Sequence, residues 1–349
     1  LVLCHVSAFS SSSSSAWQQQ GRASKRESMQ CWGAASASAA NKCVELEHAE
    51  YEAMGVSKGN GRELEPVIIL HGLLGSKRNF ASLGSGLAKQ LQKKRKIVAL
   101  DLRNHGDNNH DWREEMSYSD MASDVLAFMD SQNFNKAVLV GHSMGGKVAK
   151  SLALMHPERV AGLVVLDIAP VRYTTEQDES WNAVATIIHA ISQVDLSKPG
   201  KTRKDVDADL RKTVPDPALR AFVLTNLEQI RGGGGGDDDG AQPSLRWKIN
   251  INAIIQQLDT IAGFDVNYND VTTNVDVVDD ADDKNIPQYQ GDTFIIHGGA
   301  SRFVRHAHMN VIAAFFPNHM LTTIRGAGHW VHAEAPDDTL SLLKQYLDR

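Results

Sequence analysis

The chain has 349 residues, 42% of them hydrophobic and 22% charged, with a formal net charge of −6. This is the composition of a soluble globular protein with room for one large α/β domain plus additions, and with no basic stripe it excludes an electrostatic footprint for nucleic acid. Apolar runs such as Pro66–Leu70 are too short to span a bilayer; Cys4, Cys31 and Cys43 all precede the first core strand, leaving the body no thiolate metal site and no cysteine nucleophile.

Residues 1–43 read as an address rather than as folded structure. Ser10–Ser15 is unbroken, and Arg22, Lys25 and Arg26 follow with no acid before Glu27. Ser-rich, Arg-bearing and acid-poor is the composition of a transit peptide, the alternative being a disordered tail. The expected destination is an organelle, mitochondrion ahead of plastid, or the cytoplasm if the segment is only a tail.

From Val44 the apolar pattern begins. Val44, Leu46, His48 and Tyr51 suggest an outer strand or hairpin, and Val67–Leu70 is a continuous apolar strand of the kind buried on both faces. His71-Gly72-Leu73-Leu74-Gly75 follows, then helical spacing through Phe80, Leu83, Leu87 and Leu91. A strand at Ile97–Leu100 leads into Asp101-Leu102-Arg103-Asn104-His105-Gly106. Ser117 and Asp120 stand as a capping box for a helix over Met121–Met129. Ala137–Val140 then runs into Gly141-His142-Ser143-Met144-Gly145, with helical spacing after it, and Leu163–Leu166 ends at Asp167.

Strands alternating with helices predict an α/β protein with a mostly parallel, doubly wound sheet. The pattern changes over 169–285, where helices are expected at Trp181–Ile191, Val206–Leu210 and Ala218–Ile230. Gly- and Asp-rich inserts interrupt that region at about 232–240 and 265–283. We read 169–285 as a helical cap over the sheet, and 44–168 with 286–349 as the core. Thr293–Gly299, a helix from about Val304 to Phe316, a strand at Leu321–Ile324 and a closing helix at Asp338–Leu347 complete the core.

The chemistry is concentrated at strand ends. Gly-x-Ser-x-Gly between a buried-type strand and a helix is the context of a nucleophile elbow, which makes Ser143 the candidate nucleophile. A serine needs a base, and the base needs an acid to fix its tautomer. His329, in the glycine-flanked loop Gly326–Gly328, is the candidate base; His306, His308, His319 and His332 read as surface or loop residues. His306 and His308 lack the carboxylate or thiolate company of a metal site, and no metal or cofactor is expected. The loop His297–Phe303, where this architecture usually keeps its acid, has no carboxylate. Asp292 precedes its strand and lies at the wrong sheet edge. Asp167 is therefore the candidate acid, with Asp101 as the rival that reads better as a loop brace. The backbone N–H groups of Leu73 and Met144 are the candidate oxyanion hole, and His142 reads as a packing residue.

Taken together, His71–Phe80, Asp101–Asp107, Gly141–Lys147, Leu166–Pro170, Leu224–Leu227, Trp247–Asn250 and Gly326–Trp330 resemble the YbfF-type esterases and their eukaryotic mitochondrial α/β-hydrolase domain relatives. The resemblance runs from about Val44 to the C-terminus, apart from the two inserts. It implies the α/β-hydrolase fold, a serine ester hydrolase with a small helical cap inserted after the strand ending at Asp167, and an acid after that strand, which agrees with Asp167. Our reading is a serine esterase or thioesterase acting on a small acyl ester or thioester. Some relatives carry an aspartate where Asn252 stands, so the resemblance places no acid in this cap. The alternatives are an acyltransferase on the same residues and a non-catalytic partner-binding protein on a hydrolase scaffold.

Overall fold

The computed structural model describes residues 43–51, 64–230, 244–264 and 286–349. The presequence, apart from Cys43, and both expected inserts lie outside the described residues.

Seven strands make the main sheet: β1 (His48–Tyr51), β2 (Val67–Leu70), β3 (Ile97–Leu100), β4 (Ala137–His142), β5 (Val160–Leu166), and, after the cap, β8 (Thr293–Gly298) and β9 (His319–Ile324). The strands between them in the chain, β6 (Leu227–Ile230) and β7 (Ser244–Trp247), form a separate hairpin. The sheet order is β1-β3-β2-β4-β5-β8-β9, with β1 antiparallel to β3 and every other pair parallel.

Successive side chains of a strand point to opposite faces, so an unbroken apolar strand feeds two cores. Val67 and Ile69 pack with the helices Ala81–Gln90 and Pro336–Leu347 on one face. Ile68 and Leu70 pack on the other with the helices Tyr118–Ser131 and Met144–Met155. The expected capping box is present: the Asp120 N–H donates to Ser117 Oγ at 3.1 Å, and the Ser117 N–H donates to the Asp120 carboxylate at 3.3 Å.

The 169–285 region holds helices at Glu179–Ser192, Arg203–Arg211, Pro217–Leu224, Ile251–Gln256 and Leu258–Ala262. One expectation fails here. The helix expected over Ala218–Ile230 stops at Leu224, and Leu227–Ile230 is strand, paired antiparallel with Ser244–Trp247. Thr225 Oγ donates to Phe222 O at 2.6 Å and Asn226 Nδ2 to Val223 O at 3.3 Å, side-chain bonds that end the helix. The last two short helices carry too few turns for periodicity to reveal them.

Candidate active site

Ser143 lies between β4 and the helix Met144–Met155 with φ +51° and ψ −119°. A non-glycine residue in that region is strained, and it persists only where its surroundings leave no alternative. Glycines supply that enforcement: a Cβ on Gly141 would stand 2.3 Å from Gly145 O, and one on Gly145 would stand 2.4 Å from Leu70 O. The serine N–H is tied to Leu166 O at 3.1 Å. Its hydroxyl therefore stands at the helix N-terminus, where the backbone dipoles favour negative charge.

His329 Nε2 is 3.0 Å from Ser143 Oγ, and His329 Nδ1 is 2.7 Å from Asp167 Oδ2. Residues 186 positions apart in the chain thus meet at one sheet rim. The His329 loop is stapled by Glu334, whose carboxylate accepts from the N–H groups of Gly328 and Trp330 at 2.7 and 3.1 Å. His142 donates from Nε2 to His329 O at 3.0 Å, which holds the loop from below and gives the expected packing role.

Asp167 directly follows β5, is fully buried and adopts φ +53°. Its Oδ1 accepts the Gly298 N–H at 3.0 Å, and its Oδ2 accepts the Ser301 hydroxyl at 2.5 Å besides facing His329. Ser301 stands in the loop that lacked a carboxylate. That loop supplies donors to the acid of the neighbouring strand, a role the sequence reading missed because a lone loop serine carries no motif. Asp101 faces elsewhere: it accepts the Lys77 and Asp107 N–H groups at 2.7 and 2.8 Å and the Lys77 ammonium at 2.5 Å, bracing loops as expected.

Leu73 and Met144 line one cavity with Ser143 and His329. The Gly72 carbonyl accepts from both Gly75 N–H and His71 Nδ1–H, at 2.9 and 2.8 Å. A planar peptide then turns the Leu73 N–H away from those donors. His71 Nε2 accepts the Leu102 N–H at 2.9 Å, which fixes the ring as the neutral Nδ1–H form. The cavity has about 830 Å³ of empty space, including its open mouth. Trp181, Val184, Ile187, Leu219 and Phe222 of the inserted region wall it, so that region stands over the C-terminal ends of the strands.

Two histidine expectations need correction. His308 is buried under Arg305, and His332 is wedged between Phe80, stacked at 4.4 Å, and His142, edge-on at 4.6 Å. Among the described residues, no group of three or more His, Cys, Asp or Glu could hold a metal ion, and no helix is long and apolar enough to cross a membrane.

Burial holds His71 and His142 below the usual histidine range, and it takes His105 down to about 3 and His332 to about 4. Neighbouring imidazoles add to the effect at His105, His142 and His332. These groups are neutral when folded but bind protons below about pH 6.5 when unfolded. Their stabilisation is complete above that pH and is lost on acidification, by at most about 1.4 kcal/mol per pH unit for each group. Denaturant unfolding from pH 7.5 to 4.5 is expected to show stability falling from near pH 6.5 downward. A flat profile between pH 6.5 and 5 would contradict this.

A family model described as the α/β-hydrolase fold matches residues 65–336. The mouse sn-1-specific diacylglycerol lipase ABHD11 is 32% identical over 291 residues, 81% of each chain. Esterase YbfF of Escherichia coli is 30% identical over 289 residues, covering 83% of this chain and 95% of its own. A probable alcohol acetyltransferase of Saccharomyces cerevisiae is 30% identical over 295 residues, covering 83% of this chain and 79% of its own.

Proposed function

The chain belongs to the α/β-hydrolase fold family, and from that premise we propose that it is a serine hydrolase cleaving small carboxylic esters or thioesters. The observation that carries the reading is the continuous hydrogen-bonded line from Ser143 Oγ through His329 to Asp167, at 3.0 and 2.7 Å. Two relatives bear the names of a lipase and an esterase, which supports the same chemistry.

His329 takes the serine proton as Oγ attacks the acyl carbonyl, then returns it to the departing alcohol or thiol. Asp167 accepts from His329 Nδ1, holds the imidazole in register and offsets its positive charge. The N–H groups of Leu73 and Met144 receive the charge that develops on the carbonyl oxygen. Water, activated by His329, then releases the acyl group, so that two easier steps replace one hard one. No cofactor takes part. The apolar cavity walls fit an acyl chain and keep bulk water away from it.

The yeast relative's name favours one second reading, in which an alcohol or thiol replaces water in the final step. Hydrolysis of p-nitrophenyl acetate and butyrate, and of the matching coenzyme A thioesters, tests the proposal, with products analysed in the presence and absence of added alcohol. Free acid as the main product supports hydrolysis, and a dominant new ester supports transfer. No turnover of any of these substrates contradicts both.

We also propose that residues 1–43 direct the chain to an organelle, the mitochondrion ahead of the plastid.

A further inference from the structure

The Leu74–Gly75 peptide is tied to the inserted region through its carbonyl, and its Gly75 N–H holds the Gly72 carbonyl at 2.9 Å, the carbonyl of the peptide that carries the Leu73 N–H. Leu74 is left-handed, with φ +59°, a conformation unfavourable for a side chain with a Cβ and held only where the surroundings enforce it. Both of its backbone groups are clamped. The N–H donates to His105 Nε2 at 3.2 Å, and the carbonyl accepts from Asn226 Nδ2 at 2.7 Å. Asn226 is 3% exposed and lies at the turn that opens the β6–β7 hairpin. Its own carbonyl accepts the Lys248 N–H at 2.7 Å, where the chain leaves the hairpin.

A second strap runs in parallel. The Lys248 ammonium pairs with Asp107, and Asp107 also takes the Lys77 ammonium at 2.6 Å. Lys77 ends the same loop as Leu73, and its N–H is held by Asp101 at 2.7 Å. Two bonds from one hairpin thus reach the loop on both sides of Gly75, one at Leu74 and one through Asp107 at Lys77.

We propose that Asn226 is a positioning residue for the reaction: by holding the Leu74 carbonyl it sets the direction of the neighbouring Leu73 N–H, so the oxyanion hole is complete only when the hairpin is seated on the core. The inference rests on the proposed role of Leu73 as an oxyanion donor. A donor aimed at charge that develops only in the transition state affects kcat rather than substrate binding. A residue that merely walls the cavity affects KM.

Asn226→Asp keeps the shape, removes the donor and sets a carboxylate against the carbonyl it held. With p-nitrophenyl butyrate, kcat is expected to fall about ten- to a hundredfold, short of the loss when a whole donor is deleted. KM should stay within about twofold. Inhibition by an alkyl boronic acid, which forms a tetrahedral adduct, should weaken by the factor lost in kcat/KM. Unchanged kcat, or a raised KM alone, overturns the proposal. If Asn226→Asp does not fold, Asn226→Ala removes the same donor without adding a charge. It is expected to lower kcat in the same pattern, and unchanged kcat there overturns the proposal as well. Ser143→Ala run alongside separates the two layers of the argument: if it keeps wild-type turnover the nucleophile reading fails, whereas an inactive Ser143→Ala beside a fully active Asn226→Asp sinks the positioning role alone.

Discussion

Ser143→Ala is expected to lower kcat for p-nitrophenyl butyrate by about six orders of magnitude while leaving the fold intact. The size follows from how the site works as a unit. Without Oγ no acyl-enzyme forms, and His329 and Asp167 have nothing to activate. Only water attack assisted by the oxyanion donors remains. Stability should barely change, because the substitution removes one oxygen and the φ of +51° is enforced by the close approach of Gly141 and Gly145. A folded variant with wild-type turnover, checked by circular dichroism and initial rates, would remove Ser143 from the mechanism.

Asp167→Asn is the second large effect, with an expected loss of about four orders of magnitude in kcat. The carboxylate accepts three hydrogen bonds, from Gly298 N–H, Ser301 Oγ and His329 Nδ1. An amide in its place offers one oxygen and one NH2 group. With the NH2 toward His329, two donors face one another unless the ring moves its proton to Nε2, the nitrogen that must accept from Ser143. The comparison with Asp101 is decisive. Asp101 holds Lys77 and Asp107 and has no contact with His329, so Asp101→Asn should lower stability and loop order more than proton transfer. If Asp101→Asn were the slower enzyme at equal folded fraction, the assignment of the acid would fall.

The core sheet was legible because its strands are buried on both faces: Val67–Leu70, Ile97–Leu100 and Leu163–Leu166 are unbroken apolar runs, and few other structures use such runs at that length. The convergence of Ser143, Asp167 and His329 was legible for a related reason, since each follows directly on a strand or its loop and side chains at those ends of an open α/β sheet gather at one rim. The β6–β7 hairpin was not. Leu227–Ile230 is four residues long, and a pattern that short fits a helix turn as well as a strand. What decides between them is the antiparallel pairing with Ser244–Trp247, a partner that no local spacing reveals. Ser301 was missed for the same reason: its role comes from a carboxylate 134 positions away. His308 and His332 read as surface or loop residues because the rings that pack on them, Tyr173 on His308 and Phe80 and His142 on His332, come from distant parts of the chain.

An activated serine is the one claim on which mechanism, oxyanion hole and hairpin coupling all depend, and a fluorophosphonate probe reads it directly. Incubation of the full chain with the probe, followed by peptide mass spectrometry, is expected to find a single adduct on Ser143 that disappears in His329→Ala. An unlabelled wild-type chain, or an adduct on another residue with Ser143 unmodified, would contradict the account.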